Sequence, residues 1–157
     1  MRWIWIDRFV EFDSGKSAKA VKNLSMAEDH FADHFPGYPM MPVSLMIEGL
    51  AQTGGILAGE ARAFREKVVL AKIPTAKFYR DVFAGVQLTY AVELIQCRDE
   101  GAAVIGRVLV GDVLVGEAEI FFAHLDQARS QQLFGDHNFV FSGELKKILG
   151  LAKLSAN

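Results

Sequence analysis

The stretch VSLMIEGLAQTGGILAGEARAFR, residues 43–65, decides the fold because its apolar and small side chains recur at helical spacing. Its first part is apolar on nearly every side, which is typical of a helix buried in a core. The four glycines within it each cost roughly 1 kcal/mol relative to alanine in a helix interior. We therefore predict a central helix that depends on its surroundings and lets neighbouring groups approach closely.

The segments on either side of this helix have strand-like patterns. Residues 3–12 and 18–24 are separated by the turn sequence DSGK and predict a β-hairpin. Four more strand-like runs follow the helix, at residues 68–79, 86–96, 102–110 and 113–124. The last two links are short enough for hairpins, so this half predicts an antiparallel meander. A helix apolar all round between such strands predicts an α+β fold, with a curved antiparallel sheet wrapped around the helix.

Length and composition limit the class of protein. A chain of 157 residues fits one domain, and its net charge of −2 argues against a nucleic-acid surface. The single cysteine, Cys97, cannot form an internal disulfide, which favours a reducing compartment. The most apolar window, residues 40–59, contains Pro42, Glu48 and Gln52, which suit a core helix better than a lipid-facing one. We expect a cytoplasmic protein that binds neither nucleic acid nor membrane.

The pattern weakens near the C-terminus. We expect residues 1–125 to form the folded domain and residues 126–157 to be a C-terminal extension. Residues 142–151 predict a short amphipathic helix in this extension, with Leu145, Ile148 and Leu149 on one face.

A polar stripe crosses the apolar helix, because Ser44, Glu48 and Gln52 recur every four residues. Burying an unpaired carboxylate costs several kcal/mol, so Glu48 needs an explanation. One interpretation is a structural hydrogen bond to a backbone amide or a basic side chain. The other is a carboxyl group whose pKa is raised by desolvation, which would then donate a proton near neutral pH.

His34 lies just upstream, in HFPGYP, where two prolines and a glycine restrict the backbone. Such restriction suits a catalytic side chain, although a lone loop histidine is more often structural or solvated. His30 and His137 have no comparable setting, and we take both as structural. His30 and His34 have a spacing that suits a metal, but no third ligand is near, so we expect no metal site.

The helix start supplies a third chemical element. The first amides, at Val43 and Ser44, have no intrahelical acceptor and carry the positive end of the helix dipole. They could stabilise a carbonyl oxygen that gains negative charge. A histidine base, a carboxylic acid and such an amide suit proton abstraction beside a carbonyl with loss of a β-hydroxyl group. No Gly-x-Ser-x-Gly motif, phosphate-binding loop or dinucleotide fingerprint is present in the sequence.

The run HFPGYPMMP at residues 34–42, followed by Leu45, Glu48, Ala51 and Gln52, resembles the signature of the 3-hydroxyacyl-[acyl-carrier-protein] dehydratases. The resemblance extends over roughly residues 3–123 and implies the hot-dog fold. It implies that His34 removes the C2 proton of a (3R)-hydroxyacyl thioester. Glu48 would then protonate or orient the departing hydroxyl, giving a trans-2-enoyl product and water, in fatty-acid or related lipid biosynthesis.

The same resemblance implies where the substrate lies and what it is attached to. The backbone amide of Val43 would bind the thioester carbonyl, and Gln52 would support Glu48. The substrate would arrive on an acyl carrier protein, and no cofactor would be needed. The site would lie at the interface of a homodimer, alone or within a trimer of dimers, with His34 from one subunit and Glu48 from the other.

The sequence departs from this pattern at Val43, where the family usually has glycine, and at residues 84–86, where a Pro-Gly-Asp turn reads Ala-Gly-Val. Two alternatives stay open: a hot-dog acyl thioesterase, since those proteins also place a carboxylate on the central helix, and a non-catalytic paralogue that binds acyl chains, which Val43 favours. Carrier proteins are acidic, so exposed basic residues are expected to dock them, with Arg62, Arg65 and Lys67 as candidates.

Overall fold

The computed structural model describes residues 3–135, 147 and 150. Its helices and strands, in chain order, are β1 (Arg8–Asp13), β2 (Ser17–Asn23), α1 (His30–Asp33), α2 (Val43–Ala61), β3 (Lys67–Phe78), β4 (Gln87–Cys97), β5 (Gly101–Val110), β6 (Val113–Leu125) and α3 (Gln127–Phe134).

The strands form one antiparallel sheet in the order β1-β2-β4-β5-β6-β3. Helix α2 contacts β2, β3, β4, β5 and β6, so the sheet has to curve around it. The α+β architecture predicted from the sequence, a curved antiparallel sheet around a long helix, is confirmed.

The predicted hairpin and the four later strands lie within a few residues of the observed elements, with one difference in their pairing. Strand β3 does not pair with its sequence neighbour β4. It pairs with β6 and forms the edge of the sheet opposite β1. Only β4, β5 and β6 therefore form a meander. Residues 3–7 are not part of a strand, because β1 begins at Arg8. This leaves the N-terminal segment free to contact α2 through other groups.

The small residues of α2 allow the sheet to approach the helix closely, as predicted. A Cβ atom at Gly54 would lie 2.9 Å from a methyl group of Val104 on β5. Large aliphatic side chains fill the remaining positions, and Leu50, Ile56 and Leu57 are fully buried. The stability of α2 therefore comes from packing against the sheet, which offsets the low helix propensity of glycine.

Helix α2 ends at Ala61, four residues before the predicted end. Ala63 and Phe64 adopt left-handed backbone conformations, with φ angles of 54° and 53°. The amide of Phe64 donates to the carbonyl oxygen of Gly59 at 2.8 Å, and its ring lies against Gly59. This fold-back of the chain terminates the helix and starts the approach to β3.

Helix α3, which follows β6, was not predicted. Asp126 caps it by accepting a 2.7 Å hydrogen bond from the amide of Arg129. The amphipathic helix predicted at residues 142–151 lies outside the described residues apart from Lys147 and Gly150, and the division at residue 125 stays a prediction. None of the described helices combines the length and hydropathy needed to span a bilayer.

Candidate active site

Gln52 is the best-anchored polar side chain of α2. It is buried, and its Oε1 atom accepts a 2.8 Å hydrogen bond from the backbone amide of Trp5. Its Nε2 atom donates to the carbonyl oxygen of Trp3 at 3.1 Å and to Oε1 of Glu48 at 3.0 Å. Both amide hydrogens are used, so the side chain is held in one orientation.

The predicted polar stripe runs from solvent into the core along one face of α2. Ser44 is exposed, Glu48 is half-buried and Gln52 is buried. Within residues 3–135 no basic side chain forms a salt bridge with Glu48. Its recorded hydrogen bond comes from a neutral amide, so the carboxyl group has a fixed direction without a compensating cation.

The loop that carries His34 folds tightly on itself. Phe35 and Tyr38 exchange two backbone hydrogen bonds of 2.9 and 2.8 Å, and the amide of Met40 donates to the carbonyl oxygen of His34 at 3.0 Å. Nδ1 of His34 lies 3.3 Å from the carbonyl oxygen of Met40. A carbonyl oxygen only accepts, so Nδ1 carries a proton, and in the neutral ring the lone pair then lies on Nε2. This is the tautomer that a general base requires.

The His34 loop is also fastened to residues 79–86, the link between β3 and β4. The hydroxyl of Tyr38 donates to Oδ2 of Asp81 at 2.9 Å, a contact that raises the pKa of Tyr38. The amide of Met41 donates to the carbonyl oxygen of Val82 at 2.7 Å. The position of His34 therefore depends on the β3–β4 link as well as on its own loop.

The start of α2 offers unused backbone donors. The amides of Leu45 and Met46 both donate to the carbonyl oxygen of Pro42, at 3.0 and 3.2 Å. The amides of Val43 and Ser44 have no hydrogen-bond acceptor in the part of the chain that the structure describes. The Val43 side chain is 36% exposed beside them, so an approaching carbonyl group would meet a branched side chain.

No hydrogen bond or ion pair joins His34 to Glu48 among the described residues of this single chain. The histidine precedes α2, and the glutamate lies in its second turn. The geometry thus places a histidine, a carboxyl group and unused backbone amides on connected elements, without pairing His34 and Glu48 in one chain.

Residues 3–123 match the FabA-like domain family. The chain belongs to the FabA-like family. It is 42% identical over 125 residues to the 3-hydroxyacyl-[acyl-carrier-protein] dehydratase FabZ of Nitratiruptor sp., an alignment covering 75% of this chain and 84% of that protein. The enzyme of the same name from Desulforamulus reducens is 37% identical over 122 residues, covering 77% of this chain and 86% of the relative. The family identified from residues 34–52 is confirmed.

Solved structures agree on the fold. The dehydratase heterocomplex ApeI:P from Xenorhabdus doucetiae superposes with a TM-score of 0.70 at 13% identity, covering 85% of this chain and 91% of that one. The conserved protein PA5202 from Pseudomonas aeruginosa gives a TM-score of 0.63 at 19% identity, covering 75% and 87%. The predicted hot-dog fold of this FabA-like chain is confirmed.

The basic residues proposed for docking lie at the other end of α2. Arg62 makes hydrogen bonds of 3.0 and 2.7 Å to the carboxylate of Glu66 and a 3.0 Å salt bridge to Asp99. The helix of this FabA-like domain has 19 residues, so its ends are about 27 Å apart at the usual rise per residue. Arg62 is therefore engaged within its own chain, far from the unused amides at the helix start.

Metal ligands were not expected, and no group of three or more His, Cys, Asp or Glu side chains in residues 3–135 has an arrangement that suits a metal ion.

The sequence analysis missed one part of the site. The backbone atoms of Trp3 and Trp5 fix Gln52, but backbone groups leave no signal in the side-chain pattern.

Proposed function

We propose that this protein is a (3R)-3-hydroxyacyl-[acyl-carrier-protein] dehydratase that forms a trans-2-enoyl thioester and water in fatty-acid or related lipid biosynthesis. The observation that carries the proposal is the hydrogen bond from Gln52 to Glu48 on an otherwise apolar buried helix. It holds a carboxyl group in place where packing alone would favour an apolar side chain. The names of the relatives at 37–42% identity support the same reaction.

In this proposal, the Nε2 lone pair of His34 takes the proton from C2 of the substrate. Negative charge then develops on the thioester oxygen, where the amide of Val43 and the positive end of α2 stabilise it. Glu48 gives a proton to the departing C3 hydroxyl, which leaves as water while the C2–C3 double bond forms. His34 then holds one proton and Glu48 lacks one, so a proton returns from histidine to glutamate before the next turnover.

The proposed assembly is a cytoplasmic homodimer, alone or within a trimer of dimers, in which His34 of one subunit faces Glu48 of the other. The edge strand β3 supports it. One side of β3 pairs with β6, and its other side has no partner strand within the described residues. It is 12 residues long, and Leu70 on it is exposed. An edge this long with apolar side chains is a template for pairing with another chain.

The direct test is an assay of the hydration of crotonyl and longer enoyl thioesters, in which the loss of enoyl absorbance is measured. The removal of either proton-transferring group should lower kcat by about 100-fold or more, as for general acid–base catalysts. We expect this for His34→Ala and for Glu48→Gln, whereas Glu93→Gln on the outer face of the sheet should have no effect. Undiminished activity of His34→Ala would overturn the assignment.

The shared site has its own test, in which His34→Ala and Glu48→Gln subunits are co-expressed and purified together through different tags. A mixed dimer then holds one site with both wild-type side chains, so activity should return. If both groups of a site came from one chain, the mixed dimer would stay as inactive as its parents.

Val43 favours one alternative, a non-catalytic paralogue that binds acyl chains, because a branched side chain stands beside the amide that would bind the carbonyl oxygen. Such a protein would bind acylated carrier protein without hydrating enoyl thioesters. The thioesterase alternative is distinguished from the dehydratase by its product, because a thioesterase would release a free thiol that a thiol reagent detects.

A further inference from the structure

The N-terminal segment and α1 connect the two proposed catalytic side chains of one chain. From Glu48 the connection passes through Gln52 to the backbone of Trp5 by hydrogen bonds of 3.0 and 2.8 Å. The Trp5 indole then meets the ring of His30 edge-on, with ring centroids 5.5 Å apart. Finally, the carbonyl oxygen of His30 accepts a 3.0 Å hydrogen bond from the amide of His34.

The contact between Trp5 and His30 is held by packing. Trp5 is 5% exposed, and His30 also packs against the ring of Phe31, with centroids 4.3 Å apart. Nε1 of Trp5 and Nε2 of His30 are both buried and have no hydrogen-bond partner within residues 3–135. Because close-packed rings have little room to shift, a change in one is passed to the other.

We propose that Trp5 and His30 are positioning residues, which set the backbone of α1 and the His34 loop relative to the Gln52–Glu48 pair on α2. This rests on the proposed function, in which His34 and Glu48 carry the chemistry. Neither positioning residue contacts the substrate. They act by fixing His34, at the end of α1, relative to α2 of its own chain. In the proposed dimer this sets how His34 meets Glu48 of the other subunit, and small displacements of a base are costly.

The positioning requires an uncharged His30. Burial is the main cause that lowers its pKa from the ordinary value of 6.5, and Lys22 and His34 lower it further. Glu28 and Asp29 act in the opposite direction, but Lys22 also pairs with Glu28. A charged imidazole would leave the apolar edge of Trp5 for water. The stabilising contact is therefore complete above pH 6.5 and is lost as the pH falls through the lower pKa of the folded state.

Kinetics of enoyl thioester hydration by the full-length protein test this arrangement. His30→Ala should lower kcat about tenfold with little change in KM, because the base is misplaced while the binding groups remain. His30→Phe keeps a ring against Trp5 without a titrating group. It should restore kcat above pH 6.5, where His30 is uncharged. Trp5→Leu should behave like His30→Ala.

The matched control is His124→Ala. Like His30, His124 has a buried, unpartnered Nε2, but it lies near the end of β6. A loss of kcat in His124→Ala equal to that in His30→Ala would mean that general destabilisation explains both, and the proposal would fail. Failure of His30→Phe to restore kcat would overturn it as well.

A readout without turnover separates this proposal from the proposed function. Histidine side-chain NMR signals of the folded protein are assigned by single substitutions and followed against pH. His30→Ala and Trp5→Leu should shift the His34 imidazole signals, whereas His124→Ala should not. Wild-type protein without activity would refute the dehydratase and leave the NMR result to decide the positioning. Unmoved His34 signals would refute the positioning, whatever the activity.

Discussion

The ring of Tyr90 on β4 occupies the space that a side chain at Gly49 would need. A Cβ atom at Gly49 would lie 2.2 Å from Cζ of Tyr90, far inside van der Waals contact. Tyr90 is fully buried, so its ring has nowhere to move. Gly49 lowers the intrinsic helix propensity of α2, but it lets an aromatic ring pack directly against the helix backbone, one residue after Glu48.

Gly49→Ala should therefore destabilise the protein, by about 2 to 3 kcal/mol, because overpacking forces a buried ring or the helix to shift. Urea unfolding monitored by circular dichroism measures the change. In a Tyr90→Leu background, Gly49→Ala should cost much less stability than it does in the wild-type protein. If the two substitutions were simply additive, steric conflict with Tyr90 would not be the cause.

Tyr90→Phe should stabilise the protein by about 1 kcal/mol. The Tyr90 hydroxyl is buried with no hydrogen-bond partner in residues 3–135, and burial raises its pKa. Removing an unsatisfied hydroxyl saves its desolvation cost while the ring keeps its packing. The thermal midpoint should rise accordingly, and a fall would mean that an ordered water molecule satisfies the hydroxyl.

Gln52→Leu should lower kcat about 10- to 100-fold, less than loss of the general acid itself, because Glu48 stays in place but loses its directing hydrogen bond. The apolar side chain also leaves the Trp5 amide without its acceptor, so stability should fall by about 1 to 3 kcal/mol. Steady-state kinetics and urea unfolding measure the two effects. Gln96→Leu on β4 is the matched control, since Gln96 is exposed and should affect neither.

Val43→Gly should raise kcat/KM for enoyl thioesters by about tenfold, the effect of removing a side chain that crowds a bound substrate. The backbone amide stays in place, so its hydrogen bond to the carbonyl oxygen becomes easier to form. Val43→Ala should fall between the two. A drop in kcat/KM in both variants would show that the branched side chain helps to bind substrate.

The fold was predictable where the decisive interactions are local. The apolar spacing of residues 43–65 determines a buried helix, and alternating residues determine strands. The placement of β3 beside β6 was not predictable, because it depends on pairing between distant segments such as Lys77 and Glu117. Sequence patterns record the face that a strand buries but not the strand that lies next to it.

In the site, too, local features were predictable and contacts between distant segments were not. His34 and the Glu48–Gln52 spacing were visible because they involve side-chain type and helical period. The groups that hold Gln52 were not, since they are backbone atoms 47 and 49 residues away. The contacts of Arg62 with Glu66 and Asp99 were not predicted, although Glu66 is only four residues away in the sequence. The role of Arg62 in docking stays a prediction.

The amide of Gln52 has a consequence for stereochemistry. Its Oε1 must face the Trp5 amide and its Nε2 must face the Trp3 carbonyl oxygen. A flipped amide would place a donor against a donor and an acceptor against an acceptor. The donated hydrogen bond therefore always reaches Oε1 of Glu48, and a proton on the carboxyl group must reside on Oε2. An acid with one available oxygen delivers its proton from one direction. In the proposed reaction, this asymmetry would favour one enantiomer of the 3-hydroxy substrate over its mirror image.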